Sequence, residues 1–133
     1  MRWAVWVLLC APLCAQEWHH HGNDAGGTRY APLKQIHRGN VGQLKVAWRW
    51  KSGDVSDGKS GWPVRSAFEA TPLMINGTLY VTTAFQRLVA LDADTGREIW
   101  AFDPKIDRQQ PVGLYINRGA AYWTDGRNAR LLY

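Results

Sequence analysis

The chain has 133 residues, 46% hydrophobic, 20% charged and 12% aromatic, with eight tryptophans. That is a globular composition with the length of one ordinary domain, and its wealth of aromatic residues points to sheet-rich structure. The net charge of +5 is scattered over residues such as Lys34, Arg38, Lys45, Arg49, Lys51, Lys59 and Arg65, and the absence of a like-charge block excludes the clustered footprint of a nucleic-acid binder.

The first residues, MRWAVWVLLCAPLCAQ, place Arg2 ahead of an apolar run from Trp3 to Ala15. A charged start, a short apolar stretch and a small residue at its end make up a secretory signal peptide, so residues 1–15 are expected to direct export to the periplasm. The run is shorter than the ~20 residues that span a bilayer. Both cysteines, Cys10 and Cys14, fall inside it, which leaves the mature chain, 16–133, to be held by packing without disulfides.

From Glu17 to Asn40 the sequence is polar and rich in Gly, His and Asn, an irregular lead-in. Its adjacent His19, His20 and His21 would point alternately on an extended chain, and no cysteine or carboxylate cluster completes a four-ligand set, so no metal site is expected there. The next stretch, QLKVAWRWKSGD, alternates Leu44, Val46, Trp48 and Trp50 with Lys45, Ala47, Arg49 and Lys51. A period of two predicts a half-buried strand. Asp54 to Ala67 is a loop by its Gly, Ser, Asp and Pro content.

In TPLMINGTLYVTT two apolar runs flank Asn76-Gly77, the pair that supplies the positive φ values of a type I′ hairpin turn. A third strand follows at RLVALDA and a fourth at EIWAFDP. Together they predict one antiparallel meander from Pro72 to Asp103. With both faces apolar, such a sheet needs a neighbour on each side, and the chain alone is expected to be unstable. Between the last two strands, ALDADTGREIW gathers Asp92, Asp94 and Glu98 around Gly96. An EF-type calcium loop would need more oxygen ligands and a closing Glu where Asp103 stands, so Asp94-Thr95-Gly96 reads as a turn with Gly96 at positive φ.

A repeat runs through these elements. Trp48 in VAWRWKSGD and Trp100 in EIWAFDPK stand 52 residues apart, and FEATPLMINGTLY is echoed by INRGAAYWTDGRNARLLY with Glu69 and Arg118 49 apart. Those periods suit propeller blades. The expected fold is all-β: a closing strand, one four-stranded blade and the start of the next. A propeller closes with ~4–8 blades, so this is read as the amino-terminal part of a longer protein, with Trp100 docking between this blade and the following one. The final strand, ARLLY, would otherwise be an unpaired apolar edge.

Three segments, GTRYAPLKQIHRGNVGQLKVAWRWKSGD, FEATPLMINGTLYVTTAFQRLVALDADTGREIWAFDP and NRGAAYWTDG, resemble the quinoprotein dehydrogenases, exported enzymes that bind pyrroloquinoline quinone. The run Gln-Arg-Leu before Ala-Leu-Asp is closer to the membrane glucose dehydrogenase branch. The adjacent cysteines of the methanol and ethanol enzymes are replaced by Val112 and Gly113, and a histidine of the glucose branch by Leu114. The resemblance implies an eight-bladed propeller. It also implies that Glu69 is the first quinone-contacting acid and that Arg118 binds the cofactor near its reactive carbonyls. The calcium ligands and the aspartate base are expected beyond Tyr133, so no catalytic or metal-binding residue is expected in this chain.

The function so implied is oxidation of a sugar, polyol or alcohol, with ubiquinone or cytochrome c as electron acceptor. A non-enzymatic periplasmic scaffold, similar to the outer-membrane assembly lipoprotein that shares the ALD..TG...W repeat, is the competing reading. A small basic binding domain has only the charge in its favour. The dehydrogenase reading is favoured by GTRYAPL, FEATPL and NRGAAYW, which blade packing does not require.

Overall fold

The computed structural model describes residues 16–56, 66–107 and 114–133. The expected signal peptide with Cys10 and Cys14, the middle of the Asp54 to Ala67 loop, and Val112 with Gly113 lie outside the described residues.

Four strands form one antiparallel meander in the order β1-β2-β3-β4: β1 Leu73–Ile75, β2 Thr78–Thr82, β3 Leu88–Asp92 and β4 Glu98–Phe102. The β1–β2 turn has Asn76 at φ 49 and Gly77 at φ 73, the pair of positive values that matches the turn to the strands' twist. The β3–β4 turn has Gly96 at φ 70, and its Asp92 carboxylate accepts from both the Thr95 N–H at 2.8 Å and the Thr95 Oγ1 at 2.6 Å. These hydrogen bonds, the side-chain one foremost, lower the Asp92 pKa from its ordinary 3.8. Two further strands, β5 Ala121–Thr124 and β6 Ala129–Leu132, pair as a hairpin.

The core lies against β2 and β3. Leu73, Val89, Ala90 and Leu91 are almost wholly buried, and Val81, Val89 and Leu91 form a cluster covered by Trp48, Trp50 and Leu79. Trp48 also fixes the β3–β4 turn. Its Nε1 donates to the Ala93 carbonyl at 3.0 Å, and its ring lies where a Cβ on Gly96 would sit, 2.4 Å from the nearest ring carbon. Gly96 is therefore required twice, for its backbone conformation and for the indole stacked on it.

One expectation needs correction. Residues 44–56 form no strand, and only a 3-10 turn at Val41–Gln43 precedes them. A strand is defined by its ladder, and the described residues offer this segment no partner backbone. The alternation survives in part, because Trp48 and Trp50 turn inward while Leu44 and Val46 are exposed. Trp100 lies on β4, the outer strand of the first sheet. It is 41% exposed and lies 5.9 Å from the Tyr80 ring of its own sheet.

The lead-in is irregular but tied down. Trp18 exchanges both backbone hydrogen bonds with Met74, at 2.8 and 3.0 Å, and so covers the free edge of β1.

Candidate cofactor site

The two inner segments that precede β1 and β5 run side by side. Ser66 bridges to Tyr115 and Thr71 to Gly119, both in parallel register. The Ala67 N–H donates to the Tyr115 carbonyl at 3.1 Å and the Thr71 N–H to the Arg118 carbonyl at 3.4 Å. Residues 49 apart in sequence thereby become neighbours, because each occupies the same place in its repeat.

This pairing brings Glu69 and Arg118 together. Arg118 Nε lies 3.8 Å from Glu69 Oε2, with the arginine side chain 83% and the glutamate side chain 45% exposed. An ion pair this long and this open contributes roughly 0–1 kcal/mol. A ligand can exchange it at little cost, since the pair is long and solvent-exposed and the guanidinium carries five donors. The arrangement therefore presents an acceptor and a planar fork of donors at one rim, suited to a ligand with carboxylates and polar ring edges.

A cavity of about 380 Å³ is lined in part by Trp50, Ser52, Asp54, Ser66, Ala67 and Phe68, with neither Glu69 nor Arg118 in that lining. Its aromatic walls and few polar groups are those of a small-molecule pocket. Arg87, immediately before β3, crosses to the segment after Trp50. Its Nη1 donates to the Ser52 carbonyl at 2.9 Å and to Asp54 Oδ1 at 3.1 Å, where the Asp54 side chain is only 6% exposed. Asp54 Oδ2 has no hydrogen-bond partner among the described residues, so one oxygen of this buried carboxylate remains open to a donor.

Sequence reasoning gave no site role to Asp54, Gln86, Arg87 or Asn117. The available signal was the polar pair Gln86-Arg87 between two apolar strands. The triple histidine builds something else: His19 Nε2 lies 2.9 Å from Glu17 Oε2 and its ring 5.2 Å from that of Tyr122. Among the described residues no group of three or more His, Cys, Asp or Glu is placed to hold a metal.

Residues 18–132 match the PQQ family described as glucose/ethanol/alcohol dehydrogenase, beta-propeller domain. The chain is 39% identical over 112 residues to the quinoprotein glucose dehydrogenase of Escherichia coli, covering 84% of this chain and 14% of that protein. It is 38% identical over 110 residues to the dehydrogenase subunit of the alcohol dehydrogenase (quinone) of Gluconobacter oxydans, covering 80% of this chain and 13% of the relative. The solved quinohemoprotein alcohol dehydrogenase of Pseudomonas putida superposes with a TM-score of 0.67 at 39% identity, over 81% of this chain and 15% of that one. The Comamonas testosteroni enzyme gives 0.65 at 33% identity, with the same coverage of each chain. The chain thus spans about one seventh of the length of these relatives. With its four-stranded meander, the beginning of a second blade and a family match along nearly its whole length, the chain belongs to the PQQ-dependent glucose and alcohol dehydrogenase β-propeller family.

Proposed function

We propose that this chain is the amino-terminal part of an exported, eight-bladed quinoprotein dehydrogenase that oxidises a sugar, polyol or alcohol. In this reading it supplies one rim of the quinone pocket and is inactive by itself. The observation that carries the reading is the juxtaposition of Glu69 and Arg118 at the mouth between two blade starts.

The residues fit the cofactor. Pyrroloquinoline quinone is a flat, tricarboxylated ring system that, when bound, accepts a hydride from the substrate carbinol carbon while the hydroxyl proton goes to a base. Arg118 offers donors to its carboxylate or carbonyl oxygens, and Glu69 accepts from its polar edge. Both side chains act by orientation and charge placement, without exchanging protons with the substrate. The base and a calcium site are assigned to later blades, and ubiquinone or cytochrome c to the role of acceptor. The relatives include both a glucose dehydrogenase and an alcohol dehydrogenase. The Gln86-Arg87-Leu88 run supports the sugar side of that range.

The test is reconstitution of the complete protein with pyrroloquinoline quinone and calcium, followed by dye reduction with a panel of aldoses, polyols and primary alcohols. Quinone uptake with turnover of at least one of these classes is expected. A complete protein that takes up no quinone would favour the scaffold reading.

A further inference from the structure

The Arg118 side chain is exposed and its ion pair with Glu69 is long, so the backbone beneath it is what can fix its direction. The two residues before it are gripped by a single side chain from the other blade. Gln86 donates from Nε2 to the Ile116 carbonyl at 2.9 Å and accepts at Oε1 from Asn117 Nδ2 at 2.8 Å. Asn117 in turn accepts the Gly119 N–H at its Oδ1, 2.9 Å away. On the other flank the Arg118 carbonyl accepts from Thr71. The backbone from Ile116 to Gly119 is thus tied down, while the guanidinium has only its long, open ion pair with Glu69 among the described residues.

Gln86 is itself fixed. It sits in the β2–β3 turn at φ 65, a conformation that a non-glycine residue keeps only where its surroundings hold it. Its N–H donates to the Thr83 carbonyl at 3.1 Å, and the next residue, Arg87, donates its N–H to Thr83 Oγ1 at 3.1 Å. Directly before it, buried Phe85 meets buried Tyr115 edge-on at 5.4 Å, which locks the same two segments together. Glutamine suits this place because one planar amide carries both the donor for Ile116 and the acceptor for Asn117.

We infer that Gln86 is a positioning residue for the quinone site, its amide clamping Ile116 and Asn117 so that Arg118 is aimed at the cofactor. This inference rests on the reading of Arg118 as a quinone contact. The clamp crosses from one blade to the next, so it also couples the turn of the first blade to the mouth of the second.

The experiment is a double-mutant cycle on the complete protein, with the dissociation constant of pyrroloquinoline quinone read by tryptophan fluorescence quenching. Gln86→Met, close in size and lacking both hydrogen-bonding groups, is expected to weaken binding about ten-fold. Arg118→Ala is expected to weaken it at least as much, and the double variant no more than Arg118→Ala alone, because Gln86 acts through that arginine. Amide exchange over residues 116–119 of the quinone-free protein is expected to quicken in Gln86→Met. Asn117→Asp keeps the acceptor for Gly119 but loses the donor to Gln86, so it weakens binding in the same direction without touching the β2–β3 turn. Parent affinity in both Gln86→Met and Asn117→Asp, with Arg118→Ala impaired, would overturn the positioning role and leave the site reading standing. Additive losses in the double variant would also overturn it. Parent affinity in Arg118→Ala would remove the arginine from the quinone site and this inference with it.

Discussion

In β3 the residues Leu88 to Leu91 are all nearly inaccessible, whereas in the β5–β6 hairpin Trp123 and Leu132 are open to solvent. They belong to successive copies of one repeat, and both carry apolar side chains at strand positions. The difference lies in what covers them. The first sheet has Trp48 and Trp50 laid on one face and the inner segment of the next repeat beside its mouth. The hairpin has no comparable cover among the described residues. Trp48 and Trp100 show the same contrast at one repeat position, the first seated on Gly96 and the second exposed. Burial in this architecture comes from the adjoining unit, and a strand's own sequence supplies only the surface to be covered.

That contrast can be broken at its buried end first. Leu91→Ala in the complete protein is expected to cost about 3 kcal/mol, since it empties a site that is already fully enclosed. A thermal denaturation series reads the loss, and a change under about 1 kcal/mol would mean that the β3 core carries little of the stability.

A sharper comparison uses two glycines with nearly the same backbone. Gly77 at φ 73 has open space where a Cβ would be built, while Gly96 at φ 70 faces the Trp48 ring. Alanine at Gly77 is expected to cost about 1 kcal/mol, the strain of a left-handed residue alone. Alanine at Gly96 is expected to cost at least about 1 kcal/mol more, from displacement of the indole. Equal losses would show that Trp48 does not rest on the turn.

The smallest effect concerns the same turn. The Asp92 pKa is lowered by Thr95, so its contribution is present above the ordinary 3.8 and is lost as pH falls through the lower folded value. Thr95→Val removes the side-chain donor, and the Asp92 carboxyl resonance is expected to titrate closer to 3.8. An unchanged titration would shift the cause to the backbone N–H groups and the Arg97 charge.

The sheet was legible because local signals agreed with one another: Asn76-Gly77, the apolar runs of β2 and β3, and Gly96 each specified a turn or a strand without reference to distant residues. Glu69 and Arg118 were legible through the repeat, which assigned them one relative place, and their pairing follows from that. The segment around Trp48 was misread as a strand because period two reports which side chains turn inward and says nothing of whether a partner backbone is present. The clamps made by Gln86 and Arg87 were not legible at all. Each joins residues about 30 or more apart through geometry that exists only once the turn and the neighbouring blade are in place.

The central claim is that the mouth marked by Glu69 and Arg118 holds the quinone. Equilibrium titration of the complete protein and of its Glu69→Ala/Arg118→Ala variant with pyrroloquinoline quinone tests it most directly. A loss of roughly 100-fold or more in affinity is expected, as for removal of two charged hydrogen-bonding partners. Unchanged affinity in a variant that melts at the parent temperature would contradict it.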